Sequence, residues 1–164
     1  MPVKIKDVKP PSGFNRLLWR APIWLYRWNL GWMMGGRFLL LNHVGRKSGL
    51  PRQAVVEIVA HDPESGQYSI ASGFGAKSDW YQNLRATPEI TIKVGSKDIS
   101  VTAVPLSPDE SGAAMVDYAQ RNPTAAKGLM RVCGYQVDGT NEDYYTMGYE
   151  HIPFIKLIPR EDQG

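Results

Sequence analysis

The chain has 164 residues, 43% of them hydrophobic and 21% charged, with a net charge of +3. This is ordinary globular composition for a single domain, and one cysteine, Cys133, excludes an internal disulfide framework. The charge is lopsided: residues 1–60 carry ten Lys/Arg against Asp7 and Glu57, residues 61–164 nine against fourteen acids. That asymmetry predicts an anionic ligand or surface met by the N-terminal part. No zinc finger, helix-turn-helix or aromatic RNP signature accompanies it, so nucleic acid is not the expected partner. The lone cysteine suits a reducing compartment, and prolines rather than an apolar run follow Lys4, Lys6 and Lys9, so a cytoplasmic protein is expected.

Residues 1–12 read as an extended arm, and residues 1–35 together as an arm plus an amphipathic helix. Between Phe14 and Met34, Trp19, Trp24, Trp28 and Trp32 alternate with Arg16, Arg20 and Arg27. The arginines make a transmembrane span unfavourable. Two readings stand: a helix packed over the body of the domain, or a membrane-surface helix with rings among headgroups and cations on anionic lipid. Residues 36–164 form the body. Arg37–His43 and Gln53–Ala60 read as strands, and residues 62–66 as a turn into a third strand, Tyr68–Ser72. Ser78 or Asp79 caps a short helix that stops before Pro88. Glu89–Val94 and Ile99–Leu106 form a hairpin around residues 95–98. Ser107-Pro108-Asp109-Glu110 is a capping box opening a helix to about Arg121. Asn122-Pro123 restarts a helix toward Cys133, Thr140 caps a short one, and Ile152–Ile158 closes as a strand. Strands joined by hairpins predict an antiparallel sheet or barrel with marginal helices: an α+β, mainly β fold.

Two segments carry chemistry. In Gly45-Arg46-Lys47-Ser48-Gly49-Leu50-Pro51-Arg52 the glycines admit positive φ, successive amides can form an anion-binding concavity, and three cations and a hydroxyl surround it. A solvated basic hairpin is the plainer alternative. In the segment from Ser72 to Leu84, a strand enters a glycine turn and a helix begins, so its amides can face an anion or a polar ring edge. His43, His61 and His151 have no paired-ligand spacing, and no metal site is expected. The serines lack a nucleophile elbow. A reaction whose hard chemistry belongs to an organic cofactor suits this shortage of catalytic side chains.

GRKSGLPR before a strand, then ASGFGAKSDWYQNLRATPEI after a hairpin, resembles the deazaflavin-dependent nitroreductase and quinone-reductase family over roughly residues 36–106. The resemblance implies an antiparallel split β-barrel related to flavin-mononucleotide barrels. It also implies an oxidoreductase that transfers hydride from reduced coenzyme F-420 to a quinone or nitroaromatic. By matching position, Arg46, Lys47, Ser48, Gly49, Pro51 and Arg52 would hold the coenzyme phosphate and glutamate tail. Ala71 and Ser72 would lie near the deazaflavin ring, with Trp80 and Asn83 forming its pocket. Ser72 is the candidate hydrogen-bonding residue, and Tyr135 and Tyr145 are candidate proton donors. The C-terminal tyrosines are not in the family's register, and Gly73 stands where its members have lysine. An FMN-binding barrel and a non-catalytic cofactor- or lipid-binding module are the competing readings. Membrane contact through residues 14–34 would make a lipid-soluble quinone the natural acceptor. Dimers are common among related barrels, by analogy alone.

Overall fold

A computed structural model describes residues 2–4, 38–73 and 75–160; the aromatic and basic stretch at 14–34 lies outside the described residues. The chain divides into two compact units. One comprises 11–70, 79–104 and 155–164, and the other 1–10, 71–78 and 105–154.

The first unit is built on an antiparallel barrel. Its strands are β2 (Phe38–Val44), β3 (Pro51–His61), β4 (Tyr68–Ala71), β5 (Glu89–Val94), β6 (Lys97–Pro105) and β8 (Phe154–Pro159), closed in the order β2-β3-β4-β8-β6-β5. Alternation decides which side chains fill it. Leu39 and Leu41 of β2 are fully buried in a core with Ile92, Val101, Ile155 and Leu157. A register shift between Ile58 and Ala60 interrupts the β3–β4 ladder, and such bulges bend and twist long strands in closed sheets. β6 starts at Lys97, two residues earlier than expected. Lys93 and Asp98 face each other across the hairpin with a 3.7 Å ion pair, and the ladder runs on to Val94↔Lys97. Helix α1 (Asp79–Ala86) buries Tyr81 and Leu84, three residues apart on one face, with Trp80 packed against the same core. The hairpin-linked, antiparallel, mainly β architecture expected from the sequence is present.

The second unit is helical. Helix α2 (Pro108–Arg121) opens with the expected capping box: Ser107 Oγ accepts the Glu110 amide at 3.2 Å, and Glu110 Oε1 accepts the Ser107 amide at 2.9 Å. Helix α3 (Pro123–Val132) follows at once, and Thr140 caps α4 (Asn141–Thr146). The chain then widens into a π-helical turn, Met147–His151, closed by Ile152 N–H donating to Met147 O at 2.8 Å. That turn delays β8 to Phe154, two residues past the expected start. α2 packs on the π-helical turn at a very close approach, since a Cβ on Gly148 would strike the Ser111 carbonyl. Ser111 Oγ in turn accepts the buried Phe154 amide at 3.0 Å. Two residues of the arm, β1 (Val3–Lys4), pair antiparallel with β7 (Tyr135–Gln136).

Candidate cofactor site

In the barrel unit the basic segment is the β2–β3 hairpin connection, with Val44 opposite Pro51. Gly45 N–H donates to Leu50 O at 2.9 Å, Gly49 N–H to Gly45 O at 2.8 Å, and Leu50 N–H to Ser48 Oγ at 3.2 Å. Gly49 sits at φ +70°, a conformation that costs side-chain-bearing residues about 1 kcal/mol or more. Hydrogen bonds within the turn thus engage three of the amides that the sequence offered as an anion concavity, those of Gly45, Gly49 and Leu50. These bonds stiffen the turn. Lys47, Ser48, Pro51 and Arg52 are exposed.

Arg46 is held from beneath. Asn83, only 4% exposed on α1, turns its Oδ1 to two donors of Arg46: the amide at 3.1 Å and Nη1 at 2.9 Å. Arg46 Nη2 also meets Asp79 Oδ1 at 3.3 Å, one helical turn from Asn83, with the Asp79 side chain 84% exposed. Two donors on Oδ1 fix the amide orientation, so Nδ2 is what faces His43 Nδ1, 3.0 Å away. Nδ2 can only donate, so His43 Nδ1 accepts and the imidazole proton sits on Nε2. Burial chiefly, and then the Arg52 charge opposite it in the β2–β3 register, push the His43 pKa down to about 4; Asp79 opposes them. His43 is thus neutral at pH 7, as the amide requires.

The structure brings Arg46, Arg52 and Asn83 into one network in the barrel unit, with Trp80 on the same helix. Sequence reasoning missed His43 and Asp79. The i, i+4 spacing of Asp79 and Asn83 was the available signal for a polar helix face. His43 had none, since its partner lies forty residues away.

In the helical unit, Ser72 is buried, its Oγ donating to Gly75 O at 2.7 Å and its amide to Pro153 O at 3.0 Å. Its hydroxyl proton is therefore engaged, while its oxygen can accept. Tyr135 OH lies 3.2 Å from His151 Nδ1, with the two rings 4.7 Å apart. Tyr145 donates to Asp109 Oδ1 at 2.6 Å, and that hydrogen bond is the main cause of its raised pKa. Among the described residues no His/Cys/Asp/Glu group is arranged to hold a metal, and no helix is long and apolar enough to cross a membrane.

The first unit is thus a closed antiparallel barrel bearing a stiffened cationic hairpin. Over residues 19–129 the chain matches the family described as F420H(2)-dependent quinone reductase, and it belongs to that family. A Mycobacterium tuberculosis protein of the same description is 35% identical over 83 residues, 50% of this chain and 52% of its own. The chain thus spans about half the length of the curated relatives it matches. Among solved structures, a conserved hypothetical protein of M. tuberculosis superposes with a TM-score of 0.53 at 16% identity, covering 79% of this chain and 77% of its own. The heme storage protein HutZ of Vibrio cholerae superposes with a TM-score of 0.50 at 13% identity, covering 78% and 84%. Both likenesses concern the fold alone.

Proposed function

We propose that the protein is an oxidoreductase that takes hydride from reduced coenzyme F-420 and passes it to a quinone or similarly electron-poor acceptor. The observation that carries this reading is the family match across a segment containing both the cationic hairpin and the α1 face that anchors it. Lys47, Ser48 and Arg52 reach solvent and suit a phosphate and its glutamate tail, with Gly49 and Pro51 setting the turn. Arg46, clamped by Asn83, offers its remaining N–H groups from a fixed position. The family resemblance assigns Ala71 and Ser72 to the ring, where the Ser72 oxygen can accept a hydrogen bond. When bound, the coenzyme supplies the hydride; the protein orients it, excludes water and provides a proton to the reduced acceptor. Tyr135 is the better donor of the two tyrosines: the Asp109 carboxylate can only accept the Tyr145 hydroxyl proton, whereas the partner of Tyr135, His151 Nδ1, can accept or donate.

Titration of the protein with F-420, FMN and haem tests the reading. Micromolar F-420 binding with turnover of menadione is the expected result; saturable FMN or haem binding without F-420 affinity would sink it. Arg52→Ala should weaken F-420 binding by about 1.5–3 kcal/mol, the range for a charge-assisted contact. The loss should shrink for a coenzyme trimmed of its phosphate and glutamates, and equal loss for both would contradict the assignment. A cytoplasmic protein touching the membrane through residues 14–34 would meet its quinone there. Liposome sedimentation with and without residues 1–32 checks this, and unchanged sedimentation removes the idea.

A further inference from the structure

Ser72, Gly73 and Gly75 are gripped from two sides within the helical unit. On one side the Ser72 amide donates to Pro153 O at 3.0 Å, and a Cβ on Gly75 would lie 3.3 Å from the His151 carbonyl. On the other, a Cβ on Gly73 would lie 2.9 Å from Cys133 Sγ, two residues before Tyr135. A side chain at Gly73 would make the Cys133 thiol shift, and one at Gly75 would crowd the His151 carbonyl. The close approach puts the Tyr135–His151 pair beside the segment assigned to the coenzyme ring.

The pair is ordered as a relay. Glu150 Oε2 faces His151 Nε2 at 3.7 Å, and His151 Nδ1 faces Tyr135 OH at 3.2 Å. Carboxylate, imidazole and phenol follow one another, and the imidazole accepts or donates at Nδ1 according to its protonation. The π-helical turn that ends at His151 is a rare widening of the helix, of a kind frequent at functional sites. The His151 side chain is 35% exposed, so protons can reach it from solvent.

We infer that His151, held by Glu150, is a positioning residue that recharges Tyr135 as the proton donor to the reduced acceptor. The inference rests on the reductase reading above. The acceptor gains the hydride pair and becomes a hydroquinone monoanion. The Tyr135 O–H bond breaks and its proton passes to the anionic oxygen. The phenolate oxygen takes the Nδ1 proton of a protonated His151, and the neutral imidazole regains a proton from solvent. Glu150 stabilises the imidazolium between these steps.

Two measurements test this, one of them without coenzyme. Lawsone, an anionic hydroxynaphthoquinone, mimics the hydroquinone anion; uncharged menadione is its control. Calorimetric titration of the coenzyme-free protein should show lawsone binding roughly tenfold weaker in Tyr135→Phe and His151→Phe, with menadione binding unchanged. In turnover with F-420, Tyr135→Phe should lower kcat on the order of a hundredfold, the lower bound for a lost general acid. His151→Asn keeps an acceptor for the phenol but cannot deliver a proton. It should lose roughly tenfold in kcat with KM unchanged, and lose more for quinones whose hydroquinones are more basic. Melting curves establish that each variant folds, and Tyr135→Phe, which removes one hydroxyl, carries the test if His151 variants do not. Lawsone affinity and kcat within twofold of the parent in both variants would overturn the relay while leaving the reductase reading intact. A parent protein inert to every quinone would overturn that reading, and the relay with it.

Discussion

The two units fix their polar groups in opposite ways. The barrel unit depends on one buried amide, Asn83, that satisfies the Arg46 backbone, the Arg46 guanidinium and the His43 ring at once. The helical unit depends on a missing atom: α2 and the π-helical turn approach so closely at Gly148 that no Cβ fits. The first cannot lose a group, and the second cannot gain one. Buried polar hubs concentrate their energy in few atoms, whereas close backbone packing is sensitive to any added volume.

The sharpest way to break the contrast is to add a methyl group. Gly148→Ala directs its Cβ at the Ser111 carbonyl, which is backbone and cannot swing aside. Overpacking against backbone should cost about 3 kcal/mol or more, read as a lower midpoint in urea denaturation. A loss below about 1 kcal/mol would mean that the helices separate easily and the approach is not essential.

Next comes acid. The His43 pKa falls from 6.5 to about 4 on folding. Between those values the unfolded chain holds a proton that the native chain does not, so stability falls as pH drops from about 6.5 to about 4 and levels off below. A shift of this size amounts to on the order of 3 kcal/mol. Protonation at Nδ1 would also set an N–H against the Asn83 amide. His43→Gln should remove this part of the acid sensitivity, with the same slope in both proteins counting against the hub. The Asp62 and Asp138 carboxylates, whose pKa values are lowered mainly by side-chain hydrogen bonds to Ser65 and Thr140, lose stability at lower pH in parent and variant alike.

The contrast also explains what could be read in advance. The β2–β3 turn, the Ser107 capping box and the Thr140 cap depend on residues within a few positions of one another, and the sequence shows them directly. Hairpins and alternation predict an antiparallel sheet or barrel, and three of the pairings, β2–β3, β3–β4 and β5–β6, are such hairpins. Closure comes from β4–β8, β8–β6 and β2–β5, which join strands distant in sequence. The His43–Asn83 and Tyr135–His151 pairs join residues 40 and 16 positions apart. Nothing local marks such partners, because tertiary packing brings them together. The π-helical turn was invisible for a related reason. Met147–His151 carries one glycine, Gly148, which weakens a helix without specifying a π turn, and the widening accompanies packing against α2. At 45–50 the glycine spacing does not tell which amides the hairpin keeps for itself: those of Gly45, Gly49 and Leu50 are bonded within the turn.

The smallest expected effect comes where the helical unit uses the barrel's device in solvent. Ser107 caps α2 with the same reciprocal logic as Asn83, a side chain satisfying backbone donors, but Ser107 and Glu110 are both exposed. Water can replace a lost partner there, whereas it cannot readily reach Asn83. Ser107→Ala should therefore cost about 1 kcal/mol, and Ser107→Asp should restore most of it, because aspartate accepts the same amide and also meets the positive end of the helix. Asn83→Ala, measured in the same urea series, should cost at least twice as much. Equal losses at the two positions would show that neither burial nor the extra partners of Asn83 sets the barrel hub apart.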